Sequence, residues 1–179
     1  MRHRWRFDTY VVGKEDAPGI VVIQEWWGVD YEIKNHVVKI SQLGSGFKAL
    51  IPECCEGYHW LKANGSKKVG AAIAFYAVPA SQLADPAQAK APVQAHFGEL
   101  DNYVGFSYVT AAKALEEKLK ASGVPHEVHI YPGNAHAFMN RSTEVIQRMK
   151  NMGMLDEDEA SVQLAWSRFE TWMTHYLSC

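Results

Sequence analysis

The sequence predicts an α/β protein with a mostly parallel sheet and helices on both faces, and three observations predict it. Short apolar runs bounded by turn residues alternate with amphipathic helical stretches along the chain. Residues 19–23, Gly-Ile-Val-Val-Ile, are apolar throughout, as expected of a central parallel strand covered on both faces. Residues 91–141 read strand, Asp loop, helix, strand, His loop. Strands joined by a helical crossover run parallel, so their following loops arrive at one edge of the sheet.

Taken in order, residues 4–12 are a candidate first strand and 13–19 a turn. The 19–23 strand runs into Gln24-Glu25-Trp26-Trp27-Gly28. Over 32–43 the positions Ile33, Val37, Ile40 and Leu43 share one helical face, with Gly44 and Gly46 as the stop. Residues 47–51 form the next strand and Pro52 closes it. Lys67-Lys68-Val69-Gly70 opens like a strand and passes directly into the apolar 71–77. In 91–97 Val93, Ala95 and Phe97 alternate behind Pro92, and Gly98-Glu99-Leu100-Asp101 ends the run. From 107 to 122 a stripe of Val109, Ala112, Leu115 and Leu119 predicts a helix, with Glu116 four residues before Lys120 and Gly123 as its stop. Residues 126–131 alternate again, and Pro132-Gly133-Asn134 breaks them just before Ala135-His136-Ala137-Phe138. An irregular helix is expected over 144–154. The last helix is expected to start at Asp156, with Glu157, Asp158 and Glu159 favourable in its first turn and Val162, Trp166, Phe169, Trp172 or Met173, and Tyr176 inward.

Size and composition bound the rest. A chain of 179 residues, 47% hydrophobic and 21% charged, is expected to form one globular domain over 1–179. Eighteen Lys and Arg balance 20 Asp and Glu without clustering, which argues against a nucleic-acid partner. No apolar run approaches a membrane span, and the basic start Met1-Arg-His-Arg-Trp-Arg6 lacks the apolar core of a secretory signal. Three cysteines, Cys54, Cys55 and Cys179, form no disulfide framework, so a reducing cytoplasm is the expected location. The eight histidines are scattered, with His126 and His129 on opposite faces of their strand, so neither a metal nor another cofactor is expected. The oligomeric state is left open.

Asp101 and His136 each stand where a strand should stop, and the predicted topology brings them to the same rim. A carboxylate that accepts from one imidazole nitrogen fixes the tautomer and leaves the other nitrogen to take a proton from a nucleophile. Isolated, the two would be a turn Asp and an exposed loop His. Their paired placement favours the chemistry.

Three segments carry a resemblance to a known family. Gly19-Ile-Val-Val-Ile-Gln-Glu-Trp-Trp-Gly28, Ala91-Pro-Val-Gln-Ala-His-Phe-Gly-Glu-Leu-Asp101 and Gly123-Val-Pro-His-Glu-Val-His-Ile-Tyr-Pro-Gly-Asn-Ala-His-Ala-Phe-Met-Asn-Arg141 resemble the dienelactone hydrolases (carboxymethylenebutenolidases) of the α/β-hydrolase superfamily, in a plant-like variant. The resemblance implies hydrolysis of a small-molecule ester or lactone. It also implies Asp101 and His136 as two members of a triad with a nucleophilic Cys, and Glu25 as a partner of that thiol in a loop that helps form the oxyanion hole. Trp26, Phe138 and Arg141 are the implied substrate contacts, Arg141 because guanidinium pairs bidentately with the carboxylate such substrates bear. Read without the resemblance, Trp26 and Trp27 cap the core, Glu25 is solvated, and Arg141 is as readily a surface residue.

The family pattern then breaks twice, near 56–58 and near 70–71. At the second break the expected G-[FY]-C-x-G-G turn, which would expose the nucleophile beside an oxyanion-binding N–H, is missing. A G-x-[SC]-x-G elbow needs glycines four apart, and none of the 13 glycines has such a partner. The breaks fall at motif joints, as excised segments would, an origin that comparing transcript with genomic exons would test. Activity is therefore expected to be weak or lost. Cys54 and Cys55 follow a strand and precede Asp101 and His136 in hydrolase order, so they are the candidate substitute nucleophiles, though an unactivated thiol off an elbow is mostly inert. Ser66 and Ser81 rank lower. The alternative is a non-catalytic remnant that binds small molecules or a partner.

Overall fold

The structure, a computed structural model, describes residues 9–23, 28–52, 69–152 and 158–177. The chain divides into two compact units, residues 1–68 and 69–179.

In the first unit β1 (Thr9–Val12), β2 (Gly19–Val21) and β3 (Lys48–Pro52) form a sheet in the order β1-β3-β2. β3 pairs antiparallel with β1 and parallel with β2. The 19–23 run differs from expectation: β2 is the edge of this sheet among the described residues, and β3 is its centre. Ile20 is buried while Gly19 and Ile23 are exposed. The central strand is instead β3, with Ala49 and Ile51 fully enclosed on one face and Lys48 and Leu50 half-buried on the other. Helix α1 (Tyr31–Gln42) starts where the Asp30 side chain accepts from the Ile33 N–H at 3.0 Å, and it buries Val37 and Ile40.

In the second unit β4 (Ala72–Phe75), β5 (Val93–Gly98) and β6 (His126–Tyr131) form a wholly parallel sheet in the order β4-β5-β6. A 3₁₀ turn at Pro86–Gln88 follows β4, and α2 (Val109–Ser122) is the crossover from β5 to β6. Gly123 ends α2 at φ +75°, a conformation that glycine adopts without a Cβ penalty. Helices α3 (Thr143–Asn151) and α4 (Glu159–Leu177) complete the unit. The Ser142 hydroxyl accepts from Val145 N–H to start α3, and Asp158 accepts from Ala160 N–H and Ser161 Oγ at the start of α4.

Helices cover both faces of β5, because alternate side chains of a strand point opposite ways. On one face Ala95 and Phe97 pack with Ala112, Leu115 and Leu119 of α2. On the other, Gln94 and His96 are buried and polar. Gln94 Nε2 donates to Glu127 Oε2 at 2.9 Å and to the Arg168 carbonyl of α4 at 3.4 Å. Its Oε1 must then accept, so His96 Nε2 carries the ring proton toward it at 2.9 Å and Nδ1 accepts from the Tyr131 hydroxyl at 2.8 Å. Burial, then the charges of His129 and Arg168, lower the His96 pKa to about 3, so the ring is neutral. Burial lowers His129 too, against its bond to Glu127, and raises Tyr131. Burial would raise Glu127, but bonds from Gln94 and His129 hold it below its ordinary value.

Candidate active site

β5 ends at Gly98 and the chain turns into the Asp loop; β6 ends at Tyr131 and turns into the His loop. Because β5 and β6 are parallel and paired Gly98 to Tyr131, both loops leave at the same edge. Three contacts then tie the loops together. Glu99 N–H donates to the Tyr131 carbonyl at 2.9 Å, Leu100 N–H donates to the Asn134 carbonyl at 2.8 Å, and Gly133 N–H donates to Glu99 Oε2 at 3.1 Å. Gly98 makes the approach possible, since a Cβ there would collide with the carbonyl oxygens of Asn134 and Ala135.

Asp101 and His136 meet as expected. His136 Nδ1 donates to Asp101 Oδ2 at 2.8 Å; the carboxylate is fully enclosed and the imidazole one-fifth exposed. Asp101 Oδ1 accepts from Tyr103 N–H at 3.1 Å and from Ser107 Oγ at 2.9 Å. With Nδ1 so engaged, Nε2 is the nitrogen left for proton transfer, and it has no hydrogen-bond partner among the described residues. Aromatic rings surround the imidazole: Tyr103 at 4.7 Å and Tyr76 at 5.6 Å edge-on, and Phe106 tilted at 6.2 Å. Tyr103, Val104 and Phe106 are also exposed, so an apolar rim stands beside the His. Ala137, next to His136, holds φ +60° and Tyr76 holds φ +54°, unfavourable backbone for non-glycine residues that clusters at working sites.

Of the other expected residues, three are placed by the structure and the rest lie outside the described residues. Phe138 is fully buried and packs on Tyr131 at 4.8 Å and Tyr76 at 5.4 Å, so it lies under the His loop rather than at its surface. Arg141 lies on the same loop with Nη2 3.3 Å from Glu159 Oε2 of α4, a pairing that a ligand carboxylate would have to share. Ser81 sits exposed in a turn. Glu25, Trp26, Cys54, Cys55 and Ser66 lie outside the described residues. Ser107, Tyr76, Tyr103 and Phe106 were not singled out in the sequence. The available signal was the spacing Asp101, Tyr103, Ser107, but 107 reads equally well as the first residue of the helix.

This arrangement, a parallel sheet covered on both faces with an Asp and a His on adjacent strand ends, is that of the α/β-hydrolase fold. Two solved structures share it: a Klebsiella pneumoniae protein assigned as a dienelactone hydrolase (TM-score 0.69, 17% identity, covering 94% of this chain and 92% of that one) and a thermophilic esterase from the planctomycete Thermogutta terrifontis with propionate bound (TM-score 0.54, 13% identity, covering 84% and 91%). The sequence model of the dienelactone hydrolase family matches residues 7–59 and 54–177, and the chain belongs to that family. Comparison with curated proteins gives no match.

Proposed function

We propose that this hydrolase of the dienelactone hydrolase family cleaves small esters or lactones, with His136 as general base and Asp101 as the group that orients it. The observation that carries the reading is the 2.8 Å bond from His136 Nδ1 to the enclosed Asp101 carboxylate, which leaves Nε2 as the nitrogen available as a base. In the reaction, Nε2 takes a proton as the nucleophile attacks the carbonyl carbon. It returns that proton to the departing alkoxide as the tetrahedral intermediate collapses. Asp101 stabilises the transient imidazolium, a role that an enclosed carboxylate fills better than a solvated one.

Either Cys54 or Cys55 is the candidate substitute nucleophile, Glu25 is the partner that the family resemblance implies for a catalytic thiol, and a water molecule is the fallback. Trp26 and Phe138 are proposed substrate contacts, and Arg141 would receive a substrate carboxylate while giving up part of its bond to Glu159. Because the sequence carries no elbow, turnover is expected to be slow. The proposed substrate is a small-molecule ester or lactone, with neither nucleic acid nor membrane as a proposed partner, and the cytoplasm is the proposed location of a chain whose three cysteines form no disulfide framework in sequence. A purely binding, non-catalytic form is the second reading, and the missing elbow favours it.

Hydrolysis of p-nitrophenyl acetate, with and without iodoacetamide, tests these. Turnover lost on alkylation and in Asp101→Asn supports a cysteine nucleophile served by the pair. Turnover insensitive to iodoacetamide but lost in Asp101→Asn supports water. Turnover no faster than buffer leaves the binding form.

A further inference from the structure

We propose that Ser107 is a positioning residue for the Asp101–His136 pair, an inference that rests on the reading above. Its side chain is fully buried, and its Oγ touches both members: 2.9 Å from Asp101 Oδ1 and 3.1 Å from His136 Nδ1. The carboxylate can only accept, so the serine hydroxyl donates its proton to Oδ1. An oxygen that has spent its proton can still accept, so the Nδ1–H of His136 is shared between Asp101 Oδ2 at 2.8 Å and Ser107 Oγ.

Two further features separate this role from local structure. Ser is a preferred helix cap, yet Ser107 does not cap α2: the N-cap is Tyr108, and no side-chain cap bond is made there. The hydroxyl is spent across the loop on Asp101 instead. The geometry also rules Ser107 out as the attacking group, because it faces Nδ1, the nitrogen already committed to Asp101, and not Nε2. Its effect is to pin the carboxylate. Oδ1 is held from one side by Tyr103 N–H and from the other by Ser107, which directs Oδ2 at Nδ1. With the serine oxygen gone, an enclosed carboxylate loses one of two donors to Oδ1 and Nδ1–H loses its second acceptor. Nε2 of the partly exposed ring then competes for the proton.

The test is ring ¹⁵N NMR on histidine-labelled protein, with the His136 signals assigned by their loss in His136→Asn. The wild-type protein is expected to show neutral His136 protonated at Nδ1. Ser107→Ala is expected to shift the ring toward the Nε2–H tautomer and weaken the downfield Nδ1 proton, while Ser107→Thr, which keeps the hydroxyl, retains the wild-type signature. Where turnover is measurable, Ser107→Ala should lower kcat roughly tenfold, the scale of one lost charge-assisted bond, with KM unchanged. If Ser107→Ala does not melt cooperatively, Ser107→Cys, with its weak S–H donor, carries the test and should show a partial shift. A wild-type tautomer in the alanine variant, or in the cysteine variant where that one is used, would overturn the assignment of Ser107 alone. An Nε2–H tautomer in the wild-type protein would overturn the Asp101–His136 pair, and the proposal with it.

Discussion

A Cβ placed on Gly98 would run into the Asn134 and Ala135 carbonyl oxygens, so this position sets how closely the Asp and His loops approach. Those contacts are backbone, which cannot move aside as a flexible side chain can. Gly98→Ala is therefore expected to destabilise the protein by about 1–3 kcal/mol, the range for overpacking, and to separate Asp101 from His136. Thermal unfolding and the His136 ring signals read both effects, and an unchanged melting temperature would count against the close approach. His96 makes a prediction about pH. Its pKa falls from 6.5 to about 3 on folding, chiefly by burial, so between those values the unfolded chain binds more protons than the folded one. Stability therefore rises with pH through that window and is fully present above it. His129, also lowered, and Glu127, a lowered carboxylate whose contribution is lost in acid, act in the same direction. Each tenfold change in proton affinity is worth about 1.4 kcal/mol, so His96→Gln should flatten the slope of unfolding free energy against pH between about 3 and 6.5, as denaturant titrations would show. An equally steep slope in the variant would place the acid sensitivity elsewhere.

Among the elements, α2 joins the two strands that carry the pair, and it is held to β5 by Leu115 and Leu119 against Ala95 and Phe97. Leu119→Ala should cost about 2–5 kcal/mol, as buried Leu truncations do, and denaturant unfolding would measure it. A loss below 1 kcal/mol would mean the helix is not anchored there. This element was legible in the sequence: the stripe, the Gly123 stop and the flanking alternations placed it within two residues of Val109–Ser122. The expected i,i+4 pair of Lys120 with Glu116 is present at 3.9 Å, and the closer partner Glu117 at 2.7 Å was not singled out. Among the described residues of the first unit β2 lies at the sheet edge and β3 at its centre, because an apolar run signals burial without saying which strand will be central. The polar face of β5 was invisible for a related reason. Gln94 and His96 are the polar positions of an alternating strand, and only contacts with Glu127, Tyr131 and the Arg168 carbonyl, from 33 to 74 residues away, allow them to be buried.

At the scale of the molecule, topology did most of the predictive work. Two parallel strands with a helical crossover force their C-terminal loops to one edge, so Asp101 and His136 could be paired from the sequence before any distance was known. What topology does not contain is the surroundings of a side chain. Ser107, Tyr76 and Tyr103 converge on His136 from positions 29, 60 and 33 residues away in the chain, and nothing in their local pattern marks them. The same distinction holds for Arg141, the proposed substrate-carboxylate contact. Arg141 was legible as a cation after the His loop, while its partner Glu159 on α4 was not. The central claim is that the Asp-oriented imidazole does base chemistry on an ester, and the most direct measurement is p-nitrophenyl acetate turnover by the wild-type protein and by a cooperatively folding His136→Ala variant. The account predicts a slow wild-type rate above buffer that falls by about 10²-fold or more, to background, without the imidazole. An equal rate in both proteins would contradict it.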